Sequence, residues 1–417
     1  MTINYGKLLA SQRNWFSTGK SGEIGFRIKA LKILKQTIIK RTDEIMAALE
    51  KDFGKSRFET FTSEIMAAIE EINLAVKNLH SWAAPLRVKT PITYFKAKSR
   101  IYYEPFGVVL VISAWNYPFQ LTITPLIGAI SAGNCCVVKP SELSPNTSKI
   151  VTSIIRDSFP EEYCAAVEGG IEETTALLKE KFDFIHYTGS TRVGRIIAQA
   201  AAEHLTPAVL EMGGKSPCIV DDTADLKISA RRIAWGKFLN AGQTCVAPDY
   251  LIVHKAIKAP LLQALQEQIK AFYGDAPEKN SDYCRVISQR HFDRLSTFLK
   301  NGAIVSGGTT DRDQLYIEPT LLDKISWDDP IMQEEIFGPI LPVLEYEDLS
   351  EVIATINGHS KPLALYFFSK DKQAQKRILR EVPFGGGCIN TTLMHTANPH
   401  LPFGGVGESG IGSYHGR

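Results

Sequence analysis

Residues 105–139 read PFGVVLVISAWNYPFQLTITPLIGAISAGNCCVVK. Val108–Ser113 is a short apolar run, Cys135–Lys139 is another, and the segment near 118–131 between them is helix-like. Apolar runs without alternation suit strands buried on both faces, and strand–helix–strand order implies parallel pairing. The pattern continues toward the C-terminus. Shorter strand candidates stand at Ala165–Glu168, Phe184–Tyr187 and Ala208–Glu211, with helix-like segments near 145–158, 172–180 and 191–203. Such a sheet takes its ligand at the carboxyl ends of its strands, where the strand order reverses.

Upstream, the first eighty residues read as helices. Ile65, Ile69, Ile72, Val76 and Leu79 recur at spacings of four and three, an apolar stripe on one helix. Arg87–Glu104 alternates and contains a proline, which reads as an extended hairpin or arm. A second α/β region begins near Ser216, with strand candidates Cys218–Val220, Leu251–His254, Leu341–Tyr346 and Leu363–Phe368. From Pro383 the chain is rich in glycine and reads as loops around a site.

At 417 residues the chain exceeds one ordinary core, and two or three domains are expected. Its 47 basic and 45 acidic residues leave a net charge of +2, which argues against a nucleic-acid partner. The N-terminus lacks the apolar core of a signal peptide, and no run approaches the ~18 apolar residues of a membrane span. Membrane association is therefore not expected. The seven cysteines are irregularly spaced, with no C-x-x-C and no H-E-x-x-H. That pattern suits reduced thiols in a cytoplasmic protein, with no metal.

Four clusters could carry chemistry. Ser113-Ala114-Trp115-Asn116-Tyr117-Pro118 follows the first strand of the sheet. Asn116 could present its amide to an oxyanion, or more simply cap the helix beginning at Pro118. Gly189-Ser190-Thr191-Arg192-Val193-Gly194 resembles a dinucleotide turn that lacks its middle glycine. Glu211, in Glu211-Met212-Gly213-Gly214-Lys215, lies 22 residues after Gly189. It can be read as a ribose-binding acid or as a general base. In Asn240-Ala241-Gly242-Gln243-Thr244-Cys245, a cysteine among glycine and polar residues has the setting of an accessible nucleophile. Cys135, Cys136, Cys218 and Cys388 sit in or beside apolar runs and read as inert packing.

In this order the clusters resemble the aldehyde dehydrogenase superfamily along nearly the whole chain. The stretches carrying the resemblance are PFGVVLVISAWNYPF, GNCCVVKPSELSP, YTGSTRVG, LEMGGKSP, GQTCVAPDY, QEEIFGPILPV and LPFGGVGESGIG. The short N-terminus is most like the class 3 branch, which handles fatty and aromatic aldehydes. The resemblance implies a Rossmann-like cofactor domain over 1–84 and 105–211. It also implies a catalytic α/β domain over 212–393, and oligomerisation or bridging segments over 85–104 and roughly 394–417. It makes Cys245 the nucleophile, Asn116 and the Cys245 backbone N–H the oxyanion donors, and Glu211 the base that hydrolyses the thioester. Lys139 and Glu142 would contact the adenine ribose. Trp115, Gly189, Ser190 and Gly194 would line the cofactor, Glu335 would hold the nicotinamide ribose, and Phe337 would lie beside the nicotinamide. NAD is favoured by Glu142, with NADP also accepted in class 3. Tyr117, Thr244 and His395 would contact substrate, Tyr117 together with Leu393 and Met394 giving apolar walls. A homodimer is expected, although relatives continue past Arg417 with the strand that joins a partner. Two rivals are an acylating enzyme that passes the thioester to coenzyme A, and a catalytically silent relative. The presence of Glu211 argues against the first, and the full set of catalytic residues against the second.

Overall fold

The computed structural model describes residues 4–415, and the chain divides into two units. The first comprises Met1–Ala48, Phe61–His186 and Ile197–Ala208; the second comprises Leu49–Thr60, Tyr187–Ile196 and Val209–Arg417.

In the first unit the arm is a short antiparallel hairpin, β1 (Leu86–Val88) with β2 (Ser99–Ile101), closed through a turn at Ile92–Tyr94. Strands β3 (Val108–Ile112), β4 (Cys135–Lys139) and β5 (Cys164–Ala166) then pair in parallel. With β6 (Phe184–Thr188) the order is β6-β3-β4-β5. Every residue of β3 and β4 is buried, as unbroken apolar runs between two helical layers require. The chain moves outward from β3 to β5 and then returns to the other side of β3. The strand order therefore reverses between β3 and β6, where such sheets bind ligands. The candidate Ala165–Glu168 is observed as β5, which starts one residue earlier and ends two residues sooner.

The helix Met66–Trp82 packs against the helices Ile24–Lys40 and Gln120–Ser131. Its deepest line is Ile65, Ala68, Ile72, Ala75 and Leu79, while Ile69 and Val76 are only half-buried. The expected stripe is thus rotated toward the alanines, whose small side chains let the neighbouring helices approach.

In the second unit, β7 (Ala208–Glu211) is followed by β8 (Pro217–Val220), β9 (Tyr250–His254) and β10 (Ala303–Ser306). A small ladder, β11 (Thr310–Asp311) with β12 (Tyr316–Ile317), precedes β13 (Thr320–Asp323), β14 (Ile340–Tyr346), β15 (Ala364–Phe368) and β16 (Gly386–Ile389). The main sheet runs β10-β13-β14-β9-β8-β15-β16, parallel except for the antiparallel edge strand β10. Alternation divides each central strand between two cores: Tyr250 and Ile252 enter one, Leu251 and Val253 the other. The glycine-rich closing segment is not all loop. It contains β16 and the short β17 (Gly410–Ile411), which pairs antiparallel with β7. Backbone pairing needs no side chain, so Gly-Gly-Cys-Ile can form an edge strand despite its composition. Among the described residues no helix is long and apolar enough to cross a membrane.

Candidate active site

The cysteine loop begins where the helix Leu226–Phe238 ends. Asn240, Ala241 and Gly242 take φ values of 53°, 52° and 72°, three successive left-handed residues. A Cβ on Gly242 would stand 2.2 Å from the carbonyl oxygen of Gly338, so only glycine passes there. Gln243 is fully buried and fixes the loop. Its amide donates to the Asn240 and Arg285 carbonyls at 3.1 and 3.0 Å, and its Oε1 accepts from Ile287 N–H at 3.0 Å. The Asn240 amide donates back to the Gln243 carbonyl at 3.0 Å. Tyr366 donates its hydroxyl to the Val246 carbonyl at 2.6 Å from below. Thr244 is buried, and Cys245 follows as a half-buried residue.

The Cys245 thiol is pushed up to about 12, first by burial and then by the nearby charges of Glu335 and Glu211, against the pull of backbone N–H groups. It therefore rests as a neutral thiol. Both neighbouring acids are unusual too. Glu211 is 4% exposed and burial pushes its carboxyl up to about 8. Its Oε1 has no hydrogen-bond partner among the described residues. The backbone of Glu211 is well held: its carbonyl accepts from Gly189 N–H at 3.0 Å, and Met212 N–H donates to the Ser409 carbonyl at 3.0 Å beside the β7–β17 ladder. Glu335 is pushed up to about 8 by burial and by Asp249, offset by a Gly214 backbone N–H, Lys215 and Arg294. A Cβ on Gly213 would lie 2.2 Å from Glu335 Oε1, so that carboxyl occupies the space glycine leaves.

The loop carrying Glu335 is bolted by residues that sequence reading did not single out. Asp249 Oδ1 accepts from Ile336 N–H at 2.9 Å, while its Oδ2 pairs with Lys215 Nζ at 2.6 Å. Lys215 Nζ also donates to the Ile331 and Glu334 carbonyls, and Arg294 donates to those of Glu335 and Ile336. Phe337 follows with a φ of 51°. Lys215 and Asp249 stood inside quoted motifs, but nothing local marks them as partners. Gly194 packs against Met212: a Cβ there would meet its sulfur at 2.3 Å, so this glycine serves helix–strand packing. Ser190 stands just before the helix Thr191–Glu203, its carbonyl accepting from the Tyr187 hydroxyl at 3.1 Å. His395 is buried against the Cys388 sulfur at 3.5 Å, and burial lowers its ring to about 4, so it is neutral at physiological pH.

In the first unit, Lys139 is 3% exposed and its Nζ lies 2.7 Å from Glu142 Oε2, at the carboxyl end of β4. Trp115 and Tyr117 are half-buried, while Asn116 is 2% exposed on the turn leaving β3. The helix-capping reading of Asn116 does not hold. Phe119 and Gln120 N–H donate to Glu64 Oε2 at 2.9 and 3.1 Å, and Leu121 N–H donates to the Tyr117 carbonyl. The first-turn donors are thus satisfied without Asn116.

Within the second unit, a half-buried thiol thus stands near the buried Glu211 and the half-buried Glu335. Residues 7–417 match the aldehyde dehydrogenase family, and the chain belongs to it. It is 49% identical over 405 residues to the 4,4'-diaponeurosporen-aldehyde dehydrogenase of Staphylococcus aureus (strain NCTC 8325 / PS 47), covering 97% of this chain and 88% of that protein. It is 45% identical to aldehyde dehydrogenase family 3 member A2 of Mus musculus, covering 97% and 84%. To the dimeric, NADP-preferring aldehyde dehydrogenase of Rattus norvegicus it is 44% identical, covering 97% and 89%. The solved structure of Staphylococcus aureus AldH in its substrate-bound state superposes with a TM-score of 0.98 at 48% identity, covering 100% and 91%. These relatives place the chain on the class 3 side of the family, the branch it was expected to resemble.

Proposed function

We propose that this aldehyde dehydrogenase oxidises apolar aldehydes, medium- or long-chain aliphatic or aromatic, to carboxylic acids through a thioester on Cys245. The observation that carries the reading is the Cys245 thiol, half-buried on a rigid turn and coupled electrostatically to the buried Glu211 and the half-buried Glu335. Moving its proton to ionised Glu211 crosses from about 12 to about 8, roughly 5 kcal/mol uphill, so the thiolate forms only transiently. The sulfur adds to the aldehyde carbon, and the Asn116 amide with the Cys245 N–H stabilises the oxyanion. Loss of a hydride, which a bound nicotinamide would accept, turns the thiohemiacetal into the thioester. Glu211, its first proton released to solvent, then takes a proton from the water that cleaves the thioester, giving the acid and a thiolate that is reprotonated.

The Lys139–Glu142 pair fits a ribose diol, since it offers one donor and one acceptor, with the carboxylate 45% exposed. Trp115, Gly189, Ser190 and Gly194 would flank the cofactor, with Glu335 and Phe337 at its nicotinamide end. NAD or NADP, when bound, supplies the hydride acceptor. Glu142 favours NAD by charge, while its pairing with Lys139 tempers that preference; a relative named NADP-preferring supports use of both. Tyr117, Thr244 and His395 are assigned to substrate, and the neutral His395 ring adds no charge there. A relative named for 4,4'-diaponeurosporen-aldehyde supports an apolar substrate.

In functional terms, residues 1–84 and 105–211 form the NAD-binding domain and 212–393 the catalytic domain. Segments 85–104 and 394–417 serve oligomerisation or bridging. A homodimer joined through the arm is supported by its exposed Ile92, Tyr94 and Phe95, and by a relative named dimeric. Free cysteines suit a cytoplasmic enzyme.

Cys245→Ser tests the central assignment. The variant should bind NAD normally, by fluorescence quenching, yet produce no NADH from aldehyde at 340 nm. Substantial turnover would sink the covalent mechanism.

A further inference from the structure

We propose that Glu64 is a positioning residue for aldehyde oxidation, holding the turn that presents Asn116 by taking over the helix cap. The inference rests on the reading of Asn116 as an oxyanion donor. Glu64 is 0% exposed and lies within a π-helical turn, Phe61–Ile65, that leads into the helix Met66–Trp82. Such wide turns are rare and concentrate at functional sites. From there one carboxylate oxygen receives both Phe119 and Gln120 N–H, at 2.9 and 3.1 Å, fifty-five and fifty-six residues away. The carboxylate also faces the positive end of the Gln120–Ser131 helix dipole.

The other end of the turn is tied separately. The Ser113 and Thr122 hydroxyls meet at 2.6 Å, and Thr122 Oγ1 donates to the Pro118 carbonyl at 2.6 Å. Ser113 N–H donates to the Lys139 carbonyl at 3.2 Å, which joins the turn to β4. Asn116 lies between these two fastenings. Asparagine is among the best residues at a helix start, and in the absence of Glu64 its amide would be drawn toward the orphan N–H groups of the first turn. Glu64 supplies the acceptor for two of those N–H groups and so sets the turn's position.

A misplacement of about 1 Å can cost on the order of 10²-fold in rate. Glu64→Leu should therefore slow single-turnover NADH formation by between about tenfold and 10²-fold. The KM for NAD should be unchanged, and so should the active-site titre, measured as total NADH formed per chain. Glu64→Gln, which keeps an acceptor, should recover most of that rate. A purely structural role would instead lower the titre and leave the rate of the surviving sites intact. In the Asn116→Ala background, Glu64→Leu should add little further slowing. Full additivity overturns the proposal while leaving the oxyanion reading in place. If Asn116→Ala itself reacts at the wild-type rate, the oxyanion reading fails and the proposal falls with it. Should Glu64→Leu not fold, Glu64→Asp, which withdraws the acceptor by one methylene, takes its place: a slowing that vanishes in Asn116→Ala supports the proposal, and a wild-type rate overturns it.

Discussion

Glu211→Gln should make the protein more stable at alkaline pH while disabling its turnover. The carboxyl of Glu211 titrates near 4.5 when unfolded and at about 8 when folded, because burial disfavours its charge. Between those values the unfolded state binds fewer protons than the folded state, so stability falls as pH rises and flattens above about 8. The cost of holding this group is roughly 2 kcal/mol at pH 6 and roughly 4 kcal/mol at pH 8, from the two titration points. Glutamine resembles the neutral carboxyl and carries no such cost. The stability advantage of the variant should therefore grow by about 2 kcal/mol from pH 6 to pH 8. Urea denaturation at both pH values, followed by fluorescence, measures this, and the comparison cancels any pH-independent packing difference. Rapid mixing of the same variant with NAD and aldehyde should give a burst of NADH and then stall, with acyl-enzyme visible by intact mass. An advantage that is equal at the two pH values would refute the buried, protonated state of Glu211. A missing burst would show that Glu211 also serves the attack of Cys245.

Three further outcomes follow from the geometry. Glu142→Gln removes the partner of Lys139 and frees its ammonium, so kcat/KM for NADP relative to NAD should rise at least tenfold, and an unchanged ratio would contradict the Lys139–Glu142 assignment. Asp249→Asn strands the charge of Lys215 and weakens the hold on Ile336. It should lower unfolding stability by about 3 kcal/mol and raise the KM for NAD, which chemical denaturation and steady-state kinetics would detect. Across a series of straight-chain aldehydes KM should fall roughly fourfold per methylene, from about 0.8 kcal/mol each, while kcat changes little; a preference for acetaldehyde over octanal would reject an apolar tunnel.

The strands of both sheets were legible wherever burial on two faces left an unbroken apolar run, as in Val108–Ile112 and Ala364–Phe368. The strand Gly386–Ile389 was not, because an edge strand of glycines carries no such signature. The cysteine loop announced itself through glycine and polar neighbours, and only the family resemblance chose between the two readings of Glu211 that local pattern left open. Lys215, Asp249 and Arg294 stayed hidden for a different reason. Their meaning lies in bonds to residues up to 119 positions away, and no local window contains both partners. Glu64 is hidden twice over, since it sits in an ordinary-looking helical stretch and the N–H groups that donate to it lie beyond Asn116.

The resting protonation of Cys245 has a bearing on oxidative damage. Peroxides attack thiolates far faster than thiols. With its thiol held up to about 12, Cys245 is almost wholly protonated at neutral pH. The proposed nucleophile is thus kept dormant in the idle enzyme, and the burial that disfavours its ionisation also shields it from irreversible oxidation between encounters with substrate.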